Sequence, residues 1–162
     1  ALFAWLHGEQ IDAPRPELEE QDFAPFRALA DMPWALTAHV VYSAIDAKAP
    51  ATTSPQVIAD VIRQAIGFGG LLLSDDLSMQ ALAGDLGERT RAALAAGCDI
   101  ALHCNGDPDE MERVVAAAPV LSAAAIDRIA AGRDLVSRYE ASGFDGGAAA
   151  DRLDELLGSA AT

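Results

Sequence analysis

The chain has 162 residues, 51% of them apolar and 6% aromatic, enough for one compact domain of ordinary α/β or α type. Its formal net charge of −14 sets the surface against phosphate backbones and anionic lipid headgroups, so neither nucleic acid nor a membrane is expected as a partner. No run reaches the ~18 apolar residues of a membrane span, Lys48 is the only lysine, and Cys98 and Cys104 lack the paired Cys/His spacing of a zinc site and read as reduced core thiols.

In chain order, Leu2–Leu6 is apolar but short. It has no basic flank before it and no small-residue cleavage pattern after it, so it does not read as a signal peptide, and a cytoplasmic location is the expectation. Glu17 to Phe23, behind Pro14 and Pro16, starts as a helix would, and Pro25 breaks or restarts it. Ala35 to Tyr42 is β-rich and bounded by Pro33 and a turn-forming stretch, which predicts a strand. Ser54-Pro55 opens a helix with Val57, Ile58, Val61, Ile62, Ala65 and Ile66 on one face, ended by Gly67.

Gly70 to Asp76 has no polar alternation until its end, the pattern of a strand buried on both faces of a parallel sheet. Glu88 to Ala96 then reads as a helix ended by Gly97, and Asp99 to Asn105 as a further buried strand. Asp107 to Glu110 caps another helix through about Ala117, Ser122 to about Tyr139 forms a long one, and Leu153, Leu156 and Leu157 mark an amphipathic tail. Three strands alternating with helices imply right-handed crossovers and a parallel sheet, either open and doubly wound or part of a barrel.

In such folds the carboxyl ends of the strands surround the ligand site. That rule selects His39 on the first strand, Ser74, Asp75 and Asp76 on the second, and His103 and Asn105 on the third. Two adjacent carboxylates at a buried strand end are costly to desolvate unless a cation, a hydrogen-bond network or a reaction uses them. The alternative is that one caps the next helix and the other is solvated. His39 reads equally as a hydrogen-bonded core residue, His103 as pointing into either layer, and Asp46 and Asp99 as ordinary capping residues.

Thr37 to Tyr42, Pro50 to Pro55, Gly67 to Gly70, Ser74-Asp75-Asp76-Leu77-Ser78-Met79, Glu88-Arg89 and Ala95 to Asp99 occur in one order and spacing. Together with Leu18-Glu19-Glu20 and Phe23 to Arg27, this arrangement resembles the bacterial family-3 glycoside hydrolases that act as β-N-acetylglucosaminidases (β-hexosaminidases) in peptidoglycan recycling. The resemblance is close from about Pro16 to Asn105 and loose over the helical tail. It implies that the chain is the C-terminal portion of a (β/α)8 barrel, strands six to eight with their helices. On that reading residues 1–34 are a remnant before strand six, 35–118 hold three βα units and 119–162 are a helical tail.

By the same resemblance Asp75 is the catalytic nucleophile of a retaining hydrolase, Met79 lies in the loop beside the sugar, and His39 joins the substrate-binding residues. The substrate the resemblance implies is a terminal β-linked N-acetylglucosamine on a muropeptide. No metal and no organic cofactor is called for. The family's acid/base looks to be an Asp-His pair on a loop after the fifth strand, preceded by a Lys-His strand, and neither motif occurs here; Leu6-His7-Gly8-Glu9 does not match it. The chain is therefore expected to begin after that loop and to need the missing N-terminal half of the barrel as its partner. Competing readings are a small Mg²⁺-dependent signalling domain and a non-catalytic scaffold.

Overall fold

The uninterrupted apolar run before Asp75 requires a strand with protein on both sides. A computed structural model of the chain, which describes residues 9–140 and 145–159, supplies both neighbours. The order of elements is β1 (Gln10–Ile11), α1 (Arg15–Glu17) continuing as a π-helical turn Leu18–Asp22, α2 (Ala24–Arg27), β2 (Trp34–Leu36) and β3 (Val41–Tyr42). A 3₁₀ turn Ala51–Thr53, a π-helical segment Val57–Ala65, β4 (Leu71–Asp76), α3 (Leu86–Ala96) and β5 (Ile100–Leu102) follow. Then come α4 (Pro108–Ala117), α5 (Ala123–Glu140) and α6 (Gly146–Ser159). The main sheet has the order β2-β4-β5, all parallel, with Trp34 opposite Leu71 and Leu73 opposite Ile100. The fold is α/β.

Helix boundaries follow local chemistry. The Ser54 hydroxyl accepts from the Val57 amide at 3.1 Å, and the segment after it buries Val57, Ile58 and Val61. Its winding is π rather than α, a distinction that apolar spacing alone does not carry. Asp85 and Glu88 form a reciprocal capping box that starts α3 before Glu88, and Gly97, at φ 118°, ends it. Asp107 caps α4 through the Glu110 amide, and Ser122 caps α5 through the Ala125 amide. Helix and sheet meet in a core of Ile58, Phe68, Leu72, Leu77, Leu86 and Ala93, while Leu18, Phe23, Ile45, Val57 and Val61 form a second cluster.

The amino ends of the strands are tied together by one carboxylate. Asp99, its side chain 6% exposed, accepts from the Leu72 amide at 2.9 Å, from Arg63 at 3.0 Å and from Arg128 of α5 at 2.6 Å. Arg63 also donates to the Phe68 and Gly70 carbonyls and lies over the Phe68 ring. Beside it the backbone passes so closely that a Cβ on Gly70 would lie 2.6 Å from the carbonyl oxygens of both Met32 and Pro33. Asp99 is thus far more than a capping residue.

Two expectations need correction. The strand expected over Ala35 to Tyr42 is split: β2 ends at Leu36, and Val41–Tyr42 turns away to pair in parallel with β1. Between them Ala38 and Val40 direct their carbonyls to the Thr52 and Ala51 amides, so the backbone has partners outside the sheet and leaves it. Cys98 is a buried thiol, pushed up to about 12 by burial, but Cys104 is exposed, because β5 ends two residues before it. Leu2–Leu6, His7 and Gly143 lie outside the described residues. Among the described residues no helix is long and apolar enough to cross a membrane.

Removing the Asp99 carboxylate leaves two guanidinium groups and an amide without their acceptor. Asp99→Ala is expected to lower stability by about 3 kcal/mol, read by urea unfolding, whereas Glu155→Ala, which breaks an exposed pair with Arg152, changes it by less than about 0.5 kcal/mol.

Candidate active site

The site is built by an irregularity at the carboxyl end of β4. From Leu73 opposite Ile100 to Asp76 opposite Leu102, β4 takes one residue more than β5, a bulge. Ser74, fully buried, fills the gap: its hydroxyl accepts from the Leu102 amide at 2.9 Å and donates to the Asp75 carbonyl at 2.8 Å. On the other side the Asp75 amide donates to the Thr37 hydroxyl at 3.2 Å. Asp75 is therefore held by side-chain hydroxyls on both sides instead of by the ladder.

The two carboxylates at this end differ in what they touch. Asp76 uses both oxygens within the protein: Oδ1 accepts from the Ser78 amide at 3.0 Å and the Cys104 amide at 3.2 Å, and Oδ2 from the Ser78 hydroxyl at 2.7 Å. Burial pushes its carboxyl up, but Ser78, the Cys104 amide and His103 together hold it below the usual carboxylate value. Asp75 has one oxygen on the Asp76 amide at 2.8 Å, and its other oxygen accepts no hydrogen bond among the described residues. The negative field of the pair reaches Cys104, whose thiol is pushed up by desolvation and then by Asp76 and Asp75.

His39 stands beyond the end of β2, its ring beneath the same corner and 5% exposed. Nε2 lies 2.9 Å from the Asp76 carbonyl oxygen and Nδ1 2.8 Å from the Thr52 hydroxyl, which is 2.9 Å from that of Thr37. A carbonyl only accepts, so Nε2 carries the hydrogen. One consistent order then runs from the Asp75 amide to Thr37, Thr52, His39 and back to Asp76. Both ring nitrogens are engaged inside the protein in this conformation.

The loop after β4 carries half-buried Met79. Arg89 of α3 gathers it by donating to the carbonyls of Leu77 at 3.0 Å, Met79 at 3.1 Å and Gly84 at 2.9 Å. His103 sits behind Asp76, and Asn105 is exposed and bonded to Glu110. The sequence reading missed the roles of Thr37, Thr52 and Arg89. A hydroxyl residue within or beside an apolar run, as in Leu-Leu-Leu-Ser, was the available signal. Of two hollows, about 380 Å³ beside Gly70 and Arg128 and about 320 Å³ between β2 and Phe23, Phe26 and Leu29, neither is lined by Asp75, though the second reaches Thr37, which accepts from the Asp75 amide. No three His, Cys, Asp or Glu among the described residues converge on a metal position.

A strand-end carboxylate held by backbone and hydroxyl groups in a parallel α/β fold defines a class of site, and comparison with known proteins supplies the family. A model described as the glycosyl hydrolase family 3 N terminal domain matches residues 5–132, and the chain belongs to that family. It is 38% identical over 146 residues to a beta-hexosaminidase of Bordetella parapertussis, covering 86% of this chain and 40% of that protein. With a beta-hexosaminidase of Alkalilimnicola ehrlichii the identity is 50% over 95 residues, 56% of this chain and 27% of that one. Among solved structures, NagZ from Neisseria gonorrhoeae in complex with N-trifluoroacetyl-D-glucosamine matches with a TM-score of 0.68 and 34% identity, over 80% of this chain and 37% of that one. The chain thus spans at most 40% of the length of these relatives.

Because Asp76 titrates below its ordinary value of 3.8 in the folded chain, its stabilisation is fully present above about pH 4 and is lost as pH falls through the folded value. Melting temperatures from pH 7 downward are expected to fall more steeply below pH 4 in the unaltered chain than in Asp76→Asn.

Proposed function

We propose that this chain carries the nucleophile side of a retaining β-N-acetylhexosaminidase site, with Asp75 as the nucleophile. The observation that carries the reading is the contrast at the end of β4: Asp76 is consumed by internal hydrogen bonds, while one Asp75 carboxylate oxygen accepts none among the described residues. Family membership and the beta-hexosaminidase relatives support it. In the proposed reaction that oxygen attacks the anomeric carbon as the bond to the aglycone oxygen breaks, and the leaving oxygen takes a proton from a second group. Water, deprotonated by the same group, then releases the sugar from Asp75 with net retention.

The acid/base is assigned to the part of the family fold outside these 162 residues. The three βα units are the sixth to eighth of a (β/α)8 barrel in this reading, with residues 1–34 before them and 119–162 as a helical tail. Met79 lies beside the sugar in the loop that Arg89 holds. His39, assigned to the substrate side, acts through the backbone it supports at Asp76. A terminal β-linked N-acetylglucosamine on a muropeptide and a cytoplasmic setting complete the reading, both by resemblance. The edge of β2, with Trp34 53% and Leu36 58% exposed beside the 320 Å³ apolar hollow, is where the remaining barrel would join.

The test is hydrolysis of a chromogenic β-N-acetylglucosaminide by this chain joined to the N-terminal part of the Bordetella parapertussis relative, with and without Asp75→Asn. The joined protein is expected to turn over, and the substitution to lower kcat by about a thousandfold or more. A folded joined protein that hydrolyses the substrate equally well as Asp75→Asn overturns the assignment.

A further inference from the structure

One polar side chain at the mouth of the sheet lacks a partner. His103 follows β5, its side chain is 5% exposed, and neither ring nitrogen makes a hydrogen bond among the described residues. A buried polar group in that condition is destabilising, and such groups are rare enough to need a reason. An apolar side chain would fill the same space without the cost.

Its surroundings supply the reason. Nδ1 lies 4.0 Å from Asp76 Oδ1 and Nε2 3.4 Å from Glu110 Oε2, so the ring stands between a carboxylate at the end of β4 and one in the first turn of α4. Asp75 is next along the strand, and the Cys104 thiol is adjacent in sequence. Arg89, the cation attached to the neighbouring loop, is directed at carbonyl oxygens. The same Glu110 oxygen, Oε2, accepts from the Asn105 side-chain amide. A ring that donates from both nitrogens would compensate both carboxylates at once and join β4 to α4 across β5.

We propose that His103 is a positioning residue: lodged between Asp76 and Glu110, it fixes the carboxyl end of β4 so that Asp75 presents its unengaged oxygen to a ligand. The proposal rests on the reading of Asp75 as nucleophile. It assigns His103 no contact with substrate, and its effect passes through Asp76.

Two measurements test it. In this chain, with aspartate carboxyls labelled with ¹³C and Asp76 assigned by comparison with Asp76→Asn, His103→Leu is expected to move the Asp76 titration to higher pH. In the joined protein, His103→Leu is expected to lower kcat about ten- to a hundredfold with KM changed less than about twofold. His103→Gln, which keeps a donor without the charge, should fall between, and it takes over both measurements if the leucine chain does not fold. An unmoved Asp76 titration, or an unchanged kcat in a folded variant, overturns the proposal. A joined protein inactive before any substitution counts against the nucleophile reading instead, and the Asp76 titration still decides whether His103 is tied to that carboxylate.

Discussion

Everything at this end of the molecule follows from β4 lying between two parallel neighbours. A strand so placed can leave the core only where side chains take over its backbone hydrogen bonds, since water does not reach it. Ser74, Thr37 and Asp76 do that work: each small polar group stands where the ladder stops, and the bulge gives them room. Asp75 is the residue left over. Its amide and carbonyl are satisfied laterally, and its carboxylate is the group the corner presents.

Much of this was legible in the chain. Caps and stops such as Ser54, Gly97, Asp107 and Ser122 act locally, so composition and spacing located their helices. The run from Leu71 to Ser74, apolar without alternation, pointed to a doubly covered strand. The split of Ala35 to Tyr42 was not legible, because it depends on β1, a distant two-residue partner, and on the carbonyls of Ala38 and Val40 meeting the turn at Ala51–Thr53. The division between Asp75 and Asp76 was also hidden. Two identical side chains in succession differ in which donors reach them, the Ser78 hydroxyl and the Cys104 amide after β5 both going to Asp76.

The two ends of the sheet bear opposite kinds of charge arrangement. At the amino end Asp99 is neutralised by Arg63 and Arg128 and supports packing. At the carboxyl end Asp75, Asp76 and Glu110 gather with no guanidinium among their ion-pair partners in the described residues, and His103 stands between two of them. Parallel α/β folds separate a stabilising face from a chemical one in this way, since the loops that follow the strands are free to vary while the loops that precede them hold the layers together.

That separation bears on how the chain acquires its structure. β4 pairs with β5 across one helix, α3, and with β2 across β3, a 3₁₀ turn and the π-helical segment, and the Asp99 cluster recruits Arg63, Leu72 and Arg128 from consecutive units. Each new strand therefore finds its neighbour in sequence already made, while the acceptor for Arg63 and the Leu72 amide arrives later with Asp99 and is joined last by Arg128. Assembly can proceed unit by unit as the chain lengthens, with the mouth around Asp75 taking shape only after β5 delivers the Cys104 amide.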